Sequence, residues 1–220
     1  MDKKYTGGDA KVLLAKILLV VGCQRSGTTL LASMLSRHSE INMLFESVTK
    51  DTLRLMGRKY NANKLMAWRQ IRIDQRASKF GHLMNRLANF DFGRTHRMHK
   101  LRPYPMTQMS LNDYLKYDPK MIVITRKKED TVNSMLNRTP MTRKQAEKEW
   151  ELANDLMQYM IQKGAVEVNF DDLVENPEAV MKTLCEYLDL EYEERMMEGP
   201  KFNVIYPGSE VLSEKSSASK

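Results

Sequence analysis

Two groups of residues in this 220-residue chain have the types and spacing to hold anions, and a carboxylate stands between them. The first is Gly22-Cys23-Gln24-Arg25-Ser26-Gly27-Thr28-Thr29-Leu30. Arg25 offers a permanent charge on a planar fork of donors. Gly27 lets the backbone approach a ligand closely, and Ser26, Thr28 and Thr29 add hydroxyls. A helix beginning there would turn unpaired N–H groups and a partial positive charge toward the same point. The second group is Arg126, Ser134 eight residues later, and Arg138 four residues beyond that. Ser134 and Arg138 share a helix face, so with Arg126 they could grip a second phosphate. The same residues also read as a solvated basic edge, because Lys127 and Lys128 adjoin Arg126. Glu46, 21 residues after Arg25, could take a proton, cap a helix or close a salt bridge.

The elements needed to position these residues are visible in the hydrophobic pattern. Residues 16–22 (KILLVVG) and 120–125 (KMIVIT) are continuous apolar runs, as in strands buried on both faces. Arg25 follows the first run and Arg126 the second. Leu30, Leu31, Met34 and Leu35 recur at helical spacing. Met43 to Phe45 is a short apolar segment ending at Glu46. Residues 49–89 read as mostly helix-compatible, and 96–101 as a further strand. Helices are expected near 108–117, 129–138, 143–163 and 177–188, with a strand at 165–170. Strands alternating with helices imply right-handed crossovers and an α/β fold with a parallel sheet covered on both faces. Ligands bind outside the carboxyl ends of such strands, where each of these polar groups falls. One domain over residues 1–207 is expected, with 1–10 flexible and 208–220 a flexible tail.

The first loop is similar to the nucleotide-triphosphate loop GxxxxGK[ST], but Thr28 stands where the Lys would be. With no clear Asp ending a second strand to hold magnesium, a kinase-type reaction is disfavoured. Arg25-Ser26-Gly27-Thr28-Thr29 after a strand resembles instead the 5′-phosphosulfate loop of the sulfotransferases that use 3′-phosphoadenosine 5′-phosphosulfate (PAPS). The strand, Arg126 and Ser134 resemble that family's 3′-phosphate site, although Lys127-Lys128 replace the Asp and Pro or Gly often found after the Arg. Residues 168–177 resemble the family's V-x-Y-E-D-L-x-x-x-P, with Phe170 in place of Tyr. The resemblance covers about residues 16–190. It implies a single P-loop-NTPase-like domain with a five-stranded parallel sheet flanked by helices. Arg25, Ser26, Gly27, Thr28 and Thr29 would surround the 5′-phosphate and sulfonate; Arg126 and Ser134 would hold the 3′-phosphate, joined by Arg138 through its helix-face spacing, and the Phe170 ring would lie near the adenine nucleotide. The co-substrate would be PAPS, the acceptor a hydroxyl on a small molecule, glycan or peptide, and no metal would be needed.

Two proton acceptors compete within that resemblance. In family members acting on protein tyrosine and some glycans, a Glu in the place of Glu46 serves as base. In those acting on small phenols and steroids, the base is the His of a Lys-x-His. Here Lys100 is followed two residues later by Arg102, so that His is absent, and His99 would point to the other strand face. Lys100 has the spacing of a lysine that contacts the sulfonate in the Glu-type enzymes, which makes Glu46, Lys100 and Arg25 the catalytic candidates.

Charge is unevenly distributed. Residues 50–102 hold 14 Lys and Arg against 3 Asp, whereas 145–200 hold 4 against 15 Asp and Glu. A basic half suits an anionic ligand or acceptor, but no nucleic-acid motif accompanies it. The best apolar run, residues 12–22, is short and contains Lys16, so no membrane span is expected. Two cysteines form no disulfide framework, and a cytoplasmic location follows as the default. An alternative function on the same scaffold is nucleotide binding without catalysis.

Overall fold

The computed structural model describes residues 15–88, 102–139 and 141–202. Among these residues, five parallel strands form one sheet in the order β2-β3-β1-β4-β5. They are β1 (Lys16–Gly22), β2 (Ile41–Phe45), β3 (Tyr60–Met66), β4 (Lys120–Thr125) and β5 (Val166–Asn169). β1 lies centrally, pairing Lys16 with Tyr60 of β3 and Leu18 with Lys120 of β4. The chain leaves β1 toward β2 and β3, then crosses back to β4 on the other side. This reversal opens a crevice at the carboxyl ends of the strands.

Alternation along β1 builds both cores. Ile17, Leu19 and Val21 face one layer, with α3 (Leu111–Leu115), α4 (Lys128–Arg138) and α5 (Arg143–Gln162) packed over them. Leu18 and Val20 face α1 (Thr28–Leu35) and α7 (Pro177–Tyr187). Four β1 side chains, Leu18 to Val21, are fully buried, each contributing about 1.5–3 kcal/mol. Local signals set the helix starts. Ser110 with Asp113 and Thr142 with Gln145 form capping boxes at α3 and α5; Pro177 occupies the first turn of α7.

The expectations need correction at β3. Residues 60–66 fall in the stretch 49–89 that reads as mostly helix-compatible, yet they form an inner strand. Asn61 and Asn63 are buried there because their amides satisfy loop backbone: Asn63 exchanges hydrogen bonds with Ser47 N–H and C=O, and Asn61 donates to Leu55 C=O. Tertiary pairing outweighs the weak strand propensity of these residues. Within the rest of that stretch, α2 covers only Lys79–Leu87. The strand expected at 96–101 lies outside the described residues. The strand expected at 165–170 ends at Asn169, and Phe170–Glu175 forms the short helix α6.

Candidate active site

The loop after β1 doubles back tightly. A Cβ on Gly22 would lie 2.6 Å from Ile124 Cγ2 and 2.7 Å from Ser26 Oγ, so only glycine allows this turn. Ser26 donates to the Cys23 carbonyl at 2.8 Å, and Thr28 Oγ1 lies 3.3 Å from Ser26 Oγ and 3.5 Å from the same carbonyl. These hydroxyls therefore hold the loop in shape and leave the first-turn N–H groups of α1 to face an anion. Thr29 is half-buried in that turn. Gly27 caps the helix with φ 93°, and a Cβ there would overlap the Phe170 ring. The aromatic ring at the start of α6 thus lies directly against the loop.

Arg25 and Arg126, 101 residues apart, meet at this edge. Arg25 Nε donates to Ser134 Oγ at 3.1 Å, and Arg126 Nη1 donates to the Arg25 carbonyl at 3.2 Å. The Arg126 guanidinium stacks on Phe170, 4.3 Å from the ring centre. Its Nε is buried with no hydrogen-bond partner among the described residues. A buried charged donor without a partner is costly, and a phosphate oxygen is the group that would satisfy it. Arg138 lies at the last turn of α4 and is exposed, one turn beyond Ser134. Lys127 bonds Asp171 at 3.2 Å, tying the start of α4 to α6.

A second cluster surrounds Glu46, the residue after β2. Glu46 Oε1 accepts from Lys64 at 2.5 Å and Oε2 from Gln70 at 2.8 Å. Gln70 is itself fixed by the Met66 N–H at 2.7 Å. The Lys64 side chain is 4% exposed and that of Glu46 40%, so the cation is sealed in while the carboxylate reaches the surface. Arg69, the neighbour of Gln70, forms a largely buried pair with Glu149, joined twice and in part at 2.8 Å. Burial holds Arg102 below its ordinary range, reinforced by the Arg69 charge and opposed by Glu46. Burial, with the Glu149 carboxylate, pushes the Cys23 thiol far up, leaving it protonated and inert. Arg25, Glu46 and Trp68 all adopt left-handed backbone (φ 70°, 59° and 64°) just beyond three adjacent strands. Non-glycine residues seldom do so, and such strain concentrates at functional edges.

Of the candidates read from sequence, the structure brings together Arg25, Ser26, Gly27, Thr28, Arg126, Ser134 and Phe170. Lys100 and His99 lie outside the described residues. Lys64, Gln70 and Arg102 escaped the sequence reading. The only signal available for Lys64 was a charge within a segment not recognised as a strand.

A profile described as the sulfotransferase family matches residues 18–194, from β1 past α7. The chain belongs to that family. Among curated proteins it is similar to protein-tyrosine sulfotransferase A of Caenorhabditis elegans, 24% identical over 200 residues, covering 82% of this chain and 51% of the relative. The chain thus spans about half the length of the curated relative it matches. Among solved structures, the mouse sulfotransferase SULT7A1 complexed with PAP aligns with TM-score 0.52 at 12% identity, over 86% of this chain and 67% of that one. A sulfotransferase domain from the curacin biosynthetic pathway aligns with TM-score 0.48 at 14% identity, covering 84% and 78%. The likeness to the mouse sulfotransferase is one of fold: a parallel P-loop-like sheet flanked by helices. Among the described residues, no group of three His, Cys, Asp or Glu has metal-binding geometry, and no helix is long and apolar enough to cross a membrane.

Proposed function

We propose that this chain transfers a sulfonate group from PAPS to a hydroxyl-bearing acceptor. The observation that carries the reading is the convergence of Arg25, Arg126, Ser134 and Phe170 at the carboxyl edge, with Arg126 Nε left unsatisfied. The donor supplies a sulfonate activated by its bond to a phosphate oxygen. Arg25 and the N–H groups of α1 would hold the 5′-phosphate and take up the charge it gains as that bond breaks. Arg126 and Ser134 would hold the 3′-phosphate. The acceptor oxygen forms the new bond to sulfur in line with the departing phosphate oxygen, and its proton passes to Glu46. The products are the sulfated acceptor and adenosine 3′,5′-bisphosphate (PAP).

Lys64 and Gln70 act as positioning residues, each holding one Glu46 oxygen. A carboxylate has about four lone-pair sites, so capacity remains for the acceptor proton. The name of the nematode relative makes protein tyrosine one candidate acceptor, and Arg102 beside Glu46 adds positive charge that suits an acidic one.

Calorimetric titration with PAP and with AMP tests the donor site. PAP should bind at least about tenfold tighter, and Arg126→Ala should remove that preference, because a charged hydrogen bond to phosphate contributes about 1.5–3 kcal/mol. Equal affinities in the wild type would overturn the proposal. Transfer of labelled sulfonate separates a working enzyme from a nucleotide-binding protein on the same scaffold.

A further inference from the structure

Helix α2 presents its apolar residues outward. Its buried residues are Gly81 and Asn85. Asn85 anchors the helix through two hydrogen bonds with the Tyr104 backbone, at 3.1 and 3.0 Å, and Gly81 allows Tyr104 close against the same face. With about 100° of turn per residue, Leu83 falls diametrically opposite that anchor. Phe80, Leu83 and Leu87 are 60, 52 and 55% exposed. Phe80 touches the Tyr104 ring only edge-on, at 5.9 Å between centres. Lys79, His82 and Arg86, all exposed, form a stripe beside the apolar one. Residues 75–88 contain no acidic residue. Arg76 in that stretch is paired with Asp113, which leaves Lys79 and Arg86 as its other full charges.

We propose that α2 seats the protein on an anionic lipid surface. Phe80, Leu83 and Leu87 enter the boundary between headgroups and acyl chains, and Lys79 and Arg86 meet lipid phosphates and carboxylates. An apolar face bordered by basic residues is the pattern of helices that lie in a membrane interface, and anionic leaflets attract such charges. A second copy fits poorly. Apposing two such faces would bring the cationic stripes together, and one face of a helix about 13 Å long falls well short of the ~800 Å² per partner of a stable interface. This surface is separate from the donor site and does not depend on the function proposed above.

The test is sedimentation of the full chain with phosphatidylcholine vesicles made with and without phosphatidylserine. Wild type should bind the phosphatidylserine vesicles, and less as salt rises. The L83D/L87D and K79E/R86E variants should each lower the partition coefficient by about tenfold or more, with circular dichroism and thermal melting matching wild type. If either double variant misfolds, Leu83→Trp replaces it, and its added emission should shift to the blue on phosphatidylserine vesicles. The proposal is overturned by absence of binding to those vesicles, by equal binding to neutral ones, by full binding of L83D/L87D, or by no blue shift. Light scattering that shows a dimer abolished by L83D/L87D would overturn it in favour of a second copy.

Discussion

The two halves of the carboxyl edge are built on different plans. On one side, Arg25, Ser26, Gly27, Arg126, Ser134 and Phe170 come from the loop after β1, the end of β4, the next helix and the start of α6. On the other, Glu46 follows β2, Lys64 lies within β3, Gln70 follows β3, and Arg102 approaches from a loop. The multiply charged donor proposed for the first cluster would need several N–H, hydroxyl and guanidinium groups at once, and short loops joined to helix starts supply them in runs. The base proposed for the second would need one carboxylate, held by whichever partners the fold brings near. The first requirement leaves a local motif; the second leaves single residues far apart in sequence.

Replacement of Glu46 breaks this comparison most sharply. Glu46→Gln should lower turnover by about 10²–10⁴-fold while PAP affinity in calorimetry stays at the wild-type value. Near-normal turnover would reduce Glu46 to a structural partner of Lys64. His99→Ala then becomes the decisive variant, and its inactivity would place a histidine base at the site.

On the donor side, Gly27→Ala places a methyl group into the Phe170 ring at a left-handed backbone position. Stability in urea should drop by roughly 2–4 kcal/mol. Adding Phe170→Ala should restore the part due to overlap, provided the ring alone blocks the methyl. Full loss in both would assign the whole effect to the backbone.

A smaller effect sharpens the other side. Glu46→Ala leaves the buried Lys64 ammonium without its carboxylate and should cost about 1–3 kcal/mol, below the 3–5 typical of sealed pairs because Glu46 is partly exposed. The Glu46→Ala/Lys64→Met protein should recover most of this in denaturant melts. Simple additivity of the two losses would deny the coupling.

A last effect, outside both clusters, serves as a control. Burial would raise the Glu193 carboxyl, but the Ser39 hydroxyl, Arg195, the Ser39 N–H and His38 together hold it down at about 2. A depressed carboxylate stabilises the fold above its ordinary pKa, and that contribution is lost as the folded-state group protonates. Glu193 should therefore support stability above about 4.5 and lose that support as pH falls toward 2. Glu193→Gln should flatten the Tm profile in this window without altering PAP affinity. An unchanged profile would refute the assignment.

The legibility of the chain follows the same division. β1 and β4 were readable because their apolar runs are buried on both faces, and the loops that follow them could be placed from them. α5 was readable from a sustained helical period and the start expected near residue 143. β3 was not: Asn61, Asn63 and Lys64 interrupt its apolar pattern, and each polar group is satisfied only by segments that fold onto it. The inward hydroxyls of Ser26 and Thr28 were also hidden, since a motif names residue types and not their hydrogen-bond partners.

By itself, the sequence determined the parallel α/β class, the places of two loops whose residue types suit anions, and the position of Glu46 after a strand. Those properties depend on neighbours close along the chain: apolar runs, glycines that permit turns, and helix starts. Tertiary structure alone decided that Arg25 would bond Ser134, that Phe170 would close on Gly27, and that Lys64 would be the cation on Glu46. Each of these joins residues whose separation along the chain says nothing about their distance in space, and only the strand order β2-β3-β1-β4-β5 brings them together.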